Sequence, residues 1–225
     1  MRSKRNTSGK DGFTLVEVIL AVGVIAMAIM ALIGLLGTTF QQVQDVVETN
    51  QAIGVVTKVN AALDNPRTVG GEKIPNAETT TAFDAVYDFV KNAHGTNPVV
   101  LYYFQKEINF DNLGKETSIP VMYRAASDNF TQVLYNQQGG TGSVFRVEIR
   151  ISNLLENQRI FVDTSTYEPT DATYVAGSSL PDVNSYALAY LPLEVRVFPH
   201  DFSDNSLNAS RDIRPILTQN IVINR

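Results

Sequence analysis

The chain contains no cysteine, which excludes disulfides, thiol nucleophiles and cysteine metal ligands. Histidine is scarce: His94 and His200 are the only two imidazoles. There is no Ser-x-x-Lys, nucleophile elbow, Walker loop or paired-histidine zinc motif. The "GGTG" at 139–142 is too short and wrongly placed for a phosphate loop, and reads as a turn. His94 falls at the expected C-terminal end of a short helix, where the dipole favours an imidazole; His200 falls in a polar loop. No enzyme is expected from these residues. Proline is missing between Phe13 and Asn65, and charge is missing from Val18 to Gly37, the next ionisable residue being Asp45.

What is present is unevenly distributed. The 225 residues carry a formal charge of −5. The first 12 hold Arg2, Lys4, Arg5 and Lys10 against Asp11, leaving 14 basic and 22 acidic residues, net −8, for the rest. An acidic body is a poor binder of nucleic acid, which needs Lys and Arg against phosphate. The length suits one anchor segment and one globular domain.

Three readings compete for residues 1–40. A secretory signal peptide has an apolar core of about 7–15 residues; this run is longer, carries Glu17 in its first turn, and offers no clear small-x-small cleavage site after Ala31. A plain signal anchor fits better, since about 20 apolar residues span a bilayer as helix with the basic flank in the cytoplasm. It leaves "GFTLVE" unexplained. A carboxylate within such a segment is costly, about 2.5–3.5 kcal/mol at a helix centre.

The third reading accounts for those residues. "GFTLVEVILAVGVIAMAIMALIGLL" (12–36) resembles the processing and assembly signal of type IV pilins and of the pseudopilins of type II secretion. The resemblance implies that prepilin peptidase cuts after Gly12 and methylates the new N-terminal residue, Phe13. It further implies that Glu17, the fifth mature residue, aligns each subunit on its neighbour, taking the neighbour's Phe13 amine as its cationic partner. Asp11 departs from the Lys-Gly pair of many members, which is expected to slow processing at most. The spelling is that of minor pilins and minor pseudopilins, with a fainter likeness to Verru-Chthon cassette pilin-like proteins. The C-terminal disulfide usual in pilins cannot form here.

The helical period continues past the apolar run. Phe40, Val43, Val46, Val47, Ile53, Val56 and Leu63 recur at spacings of three to four residues, and Asn65-Pro66 ends the helix. A helix over 13–64, with a transmembrane segment at 18–40, is therefore expected, its amphipathic outer half covered by the domain that follows. A membrane-proximal coiled-coil stalk is the alternative, with few and irregular heptads. Gly34 and Gly37 either soften the helix as a hinge or allow close helix packing.

The expected organisation is a leader at 1–12, the long helix at 13–64 and a soluble α+β domain at 65–225. Within that domain, 66–82 reads as a loop and 82–94 as a short helix capped by Thr81 and ended by Gly95. Strands are expected at 99–104, 121–124, 132–136, 144–151, 186–198 and 216–224. "NQQGGTGS" is expected to turn a hairpin between the third and fourth, and Pro192 to mark an edge or a break. The tyrosines, among them Tyr102, Tyr103, Tyr186 and Tyr190, read as packing within the sheet. A long helix packed on a mostly antiparallel sheet is the α+β class, and is the pilin-like architecture the resemblance implies.

Asp201, Asp204, Asn205, Asn208 and Asp212 share one loop and offer hard oxygen ligands suited to calcium, which some pseudopilins bind in a C-terminal loop. A solvated loop has the same composition. The implied partners are prepilin peptidase, other pilin or pseudopilin subunits, inner-membrane assembly machinery and membrane lipid. The implied location is the bacterial inner membrane, crossed once with the N-terminus cytoplasmic and the domain periplasmic or extracellular, then a filament. A membrane-tethered binding module using the same anchor without a filament is the rival expectation.

Overall fold

A computed structural model of the chain describes residues 13–66, 68–69, 72–73, 81–94, 97–109, 116–124, 130–166, 168–200, 202 and 214–225. The chain divides into two compact units, Met1–Val47 and Glu48–Arg225. Helix α1, Leu15–Asp64, is unbroken over 50 residues, roughly 75 Å at 1.5 Å per residue. Its last third explains its own fate. Ala52, Val55, Val56, Val59 and Leu63 repeat at three- to four-residue steps and are all buried, joining the main core of the second unit.

That core lies against one face of a five-stranded antiparallel sheet. The strands are β3 (Val99–Asn109), β4 (Glu116–Tyr123), β5 (Gly140–Ile151), β6 (Tyr190–Pro199) and β7 (Leu217–Asn224), in the order β4-β3-β5-β6-β7. The two-residue strands β1 (Thr68–Val69) and β2 (Glu72–Lys73) pair within the segment expected to be loop. Helix α2, Ala82–Val90, forms as expected: the Thr81 hydroxyl accepts from the Asp84 N–H at 3.2 Å. Phe83, Val86, Tyr87 and Val90 are buried against the same core. It ends at Val90 with Lys91 as C-cap, so His94 lies three residues beyond the cap rather than at the helix end. Gly95 lies outside the described residues.

Strand β5 shows why its sequence alternates. Phe145, Val147, Ile149 and Ile151 enter the main core, and Arg146, Glu148 and Arg150 take the opposite face. That face is not bare, however. Part of it is covered by a second cluster of Tyr102, Phe104, Phe130, Tyr135 and Val144. Arg146 is 4% exposed, with its guanidinium over the Phe198 ring. Glu148 accepts from Arg146 and Arg150, both at 2.7 Å, and Glu194 from Arg196 at 2.5 Å. A buried pair of this kind is held only because each charge meets its partner.

Three expectations are corrected. Residues 132–136 are not a strand but most of helix α3, Gln132–Gln137. Thr131 caps its start, accepting from the Leu134 N–H at 3.4 Å, and Gly139 with φ 69° turns the chain at its end. These caps, with the helix propensity of Leu134, outweigh the β propensity of Val133 and Tyr135. The "NQQGGTGS" hairpin is therefore a helix-to-strand turn, and β5 pairs with β3 and β6 instead. Pro192, expected at an edge or break, lies within β6, an interior strand. Its carbonyl accepts from the Ser152 N–H at 3.1 Å, so its missing donor also faces the β5 side, where β5 has just ended at Ile151.

Gly140 is where α3 closes on β5. A Cβ there would sit 2.1 Å from the Tyr135 ring, whose hydroxyl donates to the Gly142 carbonyl at 2.9 Å. Gly140→Ala is expected to lower stability by about 1–3 kcal/mol, as overpacking does. The measure is the urea midpoint of the detergent-solubilised chain. Adding Tyr135→Ala should remove most of that increment, and an unchanged increment would refute the contact.

Burial raises the phenol pKa of Tyr87 and Tyr186 well above the ordinary range, with neighbouring tyrosines adding to it at both and Asp182 and Asp88 adding to it at Tyr87. Tyr87 donates to the Pro181 carbonyl and Tyr186 to the Tyr190 carbonyl. A folded-state pKa above the unfolded value of about 10 favours the neutral phenol in the fold. That contribution is complete below about pH 10 and is lost as pH rises through the folded value. The urea midpoint should therefore hold through neutral pH and fall above about pH 10; Tyr87→Phe should make that fall shallower.

Candidate functional site

The candidate site is the N-terminal stretch from Phe13 through the bare part of α1. Thr14 is its N-cap and Glu17 stands three residues on, at the third helical position. The Thr14 N–H and hydroxyl both donate to Glu17 Oε2 at 2.9 Å, and the Glu17 N–H donates to Thr14 Oγ1 at 3.3 Å. This is a reciprocal capping box, T-x-x-E, satisfying two otherwise orphaned donors. The carboxylate also lies at the positive end of the helix dipole. Its charge is thus supported locally, before any amine is considered.

Beyond the cap the helix is apolar all round and uncovered. Sixteen large apolar side chains from Phe13 to Leu36 are exposed, a pattern that belongs to a membrane span or a buried core. Among the described residues, this is the one helix long and apolar enough to cross a membrane. Thr38 and Thr39 each donate a hydroxyl to the Leu35 carbonyl at 2.9 Å, so the first polar side chains after the run satisfy themselves within the helix. The helix passes through Gly34 and Gly37 without a break, and a Cβ at either would meet nothing within 4 Å. Phe40, Val43, Val46 and Val47 are exposed as well, extending the apolar stripe past a bilayer's thickness.

Gly12 lies outside the described residues; Phe13 and Glu17 lie within them, one on each side of the helix cap. Asp201, Asp204, Asn205, Asn208 and Asp212 lie outside them too. Among the described residues, no group of three or more His, Asp or Glu side chains is placed to hold a metal.

His200, expected in a polar loop, is packed among aromatic rings. Its Nε2 lies 3.1 Å from the Phe130 carbonyl, and its ring meets Tyr102 and Phe202 edge-on at 5.0 and 4.9 Å. The carbonyl only accepts, so Nε2 carries the proton. Tyr102 and Tyr186 are buried as expected, whereas Tyr190 is at the surface. A cavity of about 710 Å³ is lined by Val162, Thr164, Asn184, Tyr186, Ala187 and Arg225; among these described residues Arg225 is the one charged side chain.

No family model, curated protein or solved structure matches the chain. The chemistry available at the N-terminal stretch is that of membrane insertion and helix packing, with one oriented carboxylate.

The capping box is legible in "TLVE" as the T-x-x-E signature, and it adds a local partner to the amine expected for Glu17. Thr14→Ala removes both the cap acceptor and the hydroxyl donor. Amide hydrogen exchange over the first turn, in detergent micelles, should accelerate about 5-fold for a cap worth ~1 kcal/mol. Thr14→Ser should restore protection. Equal exchange in Thr14→Ala and the unmodified chain would show that the box contributes nothing.

Proposed function

We propose that the chain is a pilin-like structural subunit, of minor pilin or minor pseudopilin type, serving a type IV pilus or a type II secretion filament. The observation that carries this reading is one oriented carboxylate, Glu17, a single turn inside a helix otherwise uncharged to Gln44 and preceded by Gly12-Phe13. A plain anchor has no use for a carboxylate there, and lipid disfavours it. A filament subunit does.

In this reading prepilin peptidase cleaves after Gly12 and methylates Phe13, placing a new amine one helical turn before Glu17. Thr14 holds the carboxylate in place through Oε2. A carboxylate accepts more than two hydrogen bonds, so the capped Glu17 can still receive the amine of a neighbouring subunit. Residues 13–40 hold the subunit in the bacterial inner membrane and later enter the filament core. The domain that buries the end of α1 supplies the outer surface, and the assembly machinery of the membrane moves subunits between the two states. The role is structural rather than catalytic.

Peptide mass spectrometry on protein from native membranes should find a mature chain that begins at methylated Phe13. Glu17→Gln keeps the shape and removes the charge; it should be cleaved normally, yet be lost from sheared filament fractions. An intact Met1, or a cut near Gly37, would end the pilin-like reading. Normal cleavage with undiminished assembly of Glu17→Gln would remove Glu17 from it and favour a tethered binding module.

A further inference from the structure

The sheet has two ends, and they differ. At β4 the chain places Pro120 within the strand, a residue that withholds a donor and is one of the ways natural edges resist further pairing. At the other end β7 reads "LTQNIVIN", with no proline, glycine or charge in eight residues. The Arg225 N–H donates to the Ala189 carbonyl at 2.8 Å, and Tyr190 is opposite Asn224. Antiparallel alternation then turns residues 217, 219, 221 and 223 toward β6. It leaves the N–H and C=O groups of Thr218, Asn220, Val222 and Asn224 pointing outward. The side chains of those four are exposed, Val222 at 50%. Among the described residues, no strand pairs with β7 on that side.

We propose that this edge pairs antiparallel with the β7 edge of a second copy, about a two-fold axis at Ile221. That register sets Thr218 opposite Asn224 of the other copy, and Asn220 opposite Val222, so all four outward residues find partners. It joins two sheets into one of ten strands.

Charge argues for a second copy. The chain carries a net charge of −5, and −8 over residues 13–225, so two copies repel one another on average. The β7 edge carries no charge, and beside it on β6 the Glu194–Arg196 pair cancels locally. Two copies of β7 therefore meet with no like charges opposed, and a two-fold contact asks of each copy only the patch it already has. The pairing is separate from the filament reading, since it uses neither Phe13 nor Glu17.

The lack of cysteine makes the test direct. Full-length Asn220→Cys and Val222→Cys proteins are purified separately in detergent, mixed, and oxidised at low concentration. The mixture should give a disulfide-linked 220–222 dimer several-fold more readily than either protein alone. Val133→Cys, more exposed still on α3 at 64%, should not. Val222→Lys gives the edge a charge without touching the core and should reduce crosslinking through Asn220→Cys several-fold. Crosslinking no better than at Val133→Cys, or unaffected by Val222→Lys, would overturn the proposal. Both readouts stand whether or not Gly12 is cleaved.

Discussion

One helix has to satisfy two solvents. The first part of α1, to Gly37, presents apolar side chains in every direction, and the last third presents a stripe to a protein core. No proline or cap separates the parts. The change is made by side chains alone: uncharged residues to Gln44, then Asp45 and Glu48 ahead of the buried stripe, and Asn50 and Lys58 on the faces that Val55, Val56, Val59 and Leu63 do not use. A backbone that satisfies its own hydrogen bonds is the one structure that tolerates both surroundings. The rest of the fold follows from the buried stripe at its end.

The sheet repeats this division at smaller scale. Its inner face is, where buried, aliphatic apart from Phe145 and closes the main core with α1 and α2. Its outer face carries Arg146, Glu148, Arg150, Glu194 and Arg196 in an alternating row, flanked by rings from α3 and from Phe202. Aliphatic packing tolerates sliding by a residue pair, whereas a row of alternating charges does not. A shift of β6 along β5 would set Arg150 against Arg196. The charged row thus works against misregistered pairing.

Much of this was legible in the residues, and the failures have physical causes. The end of α1 at Asn65-Pro66, the cap of α2 at Thr81 and the two-residue alternation of β5 are strong local signals, and each appears where expected. Residues 132–136 misled because Val133 and Tyr135 favour strands, while the deciding residues, Thr131 and Gly139, lie outside the segment. Pro192 misled because a strand interior to a sheet can still have one unpaired end. His200 misled because its neighbours in sequence are polar and its neighbours in space are aromatic. At the N-terminus Glu17 is legible as an anomaly, and the box with Thr14 is legible only through the T-x-x-E spacing, because a carboxylate in an apolar run calls equally for a distant cation.

The sixteen apolar side chains between Phe13 and Leu36 carry a mechanical consequence. Each is worth about 1.5–3 kcal/mol when withdrawn from water, so lifting this segment out of lipid unaided costs on the order of tens of kcal/mol. Thermal motion does not supply that. Any route by which the helix leaves a bilayer must offer new apolar contact for each turn as it emerges, so extraction and packing are one movement, and the work done depends on the surface that receives the helix.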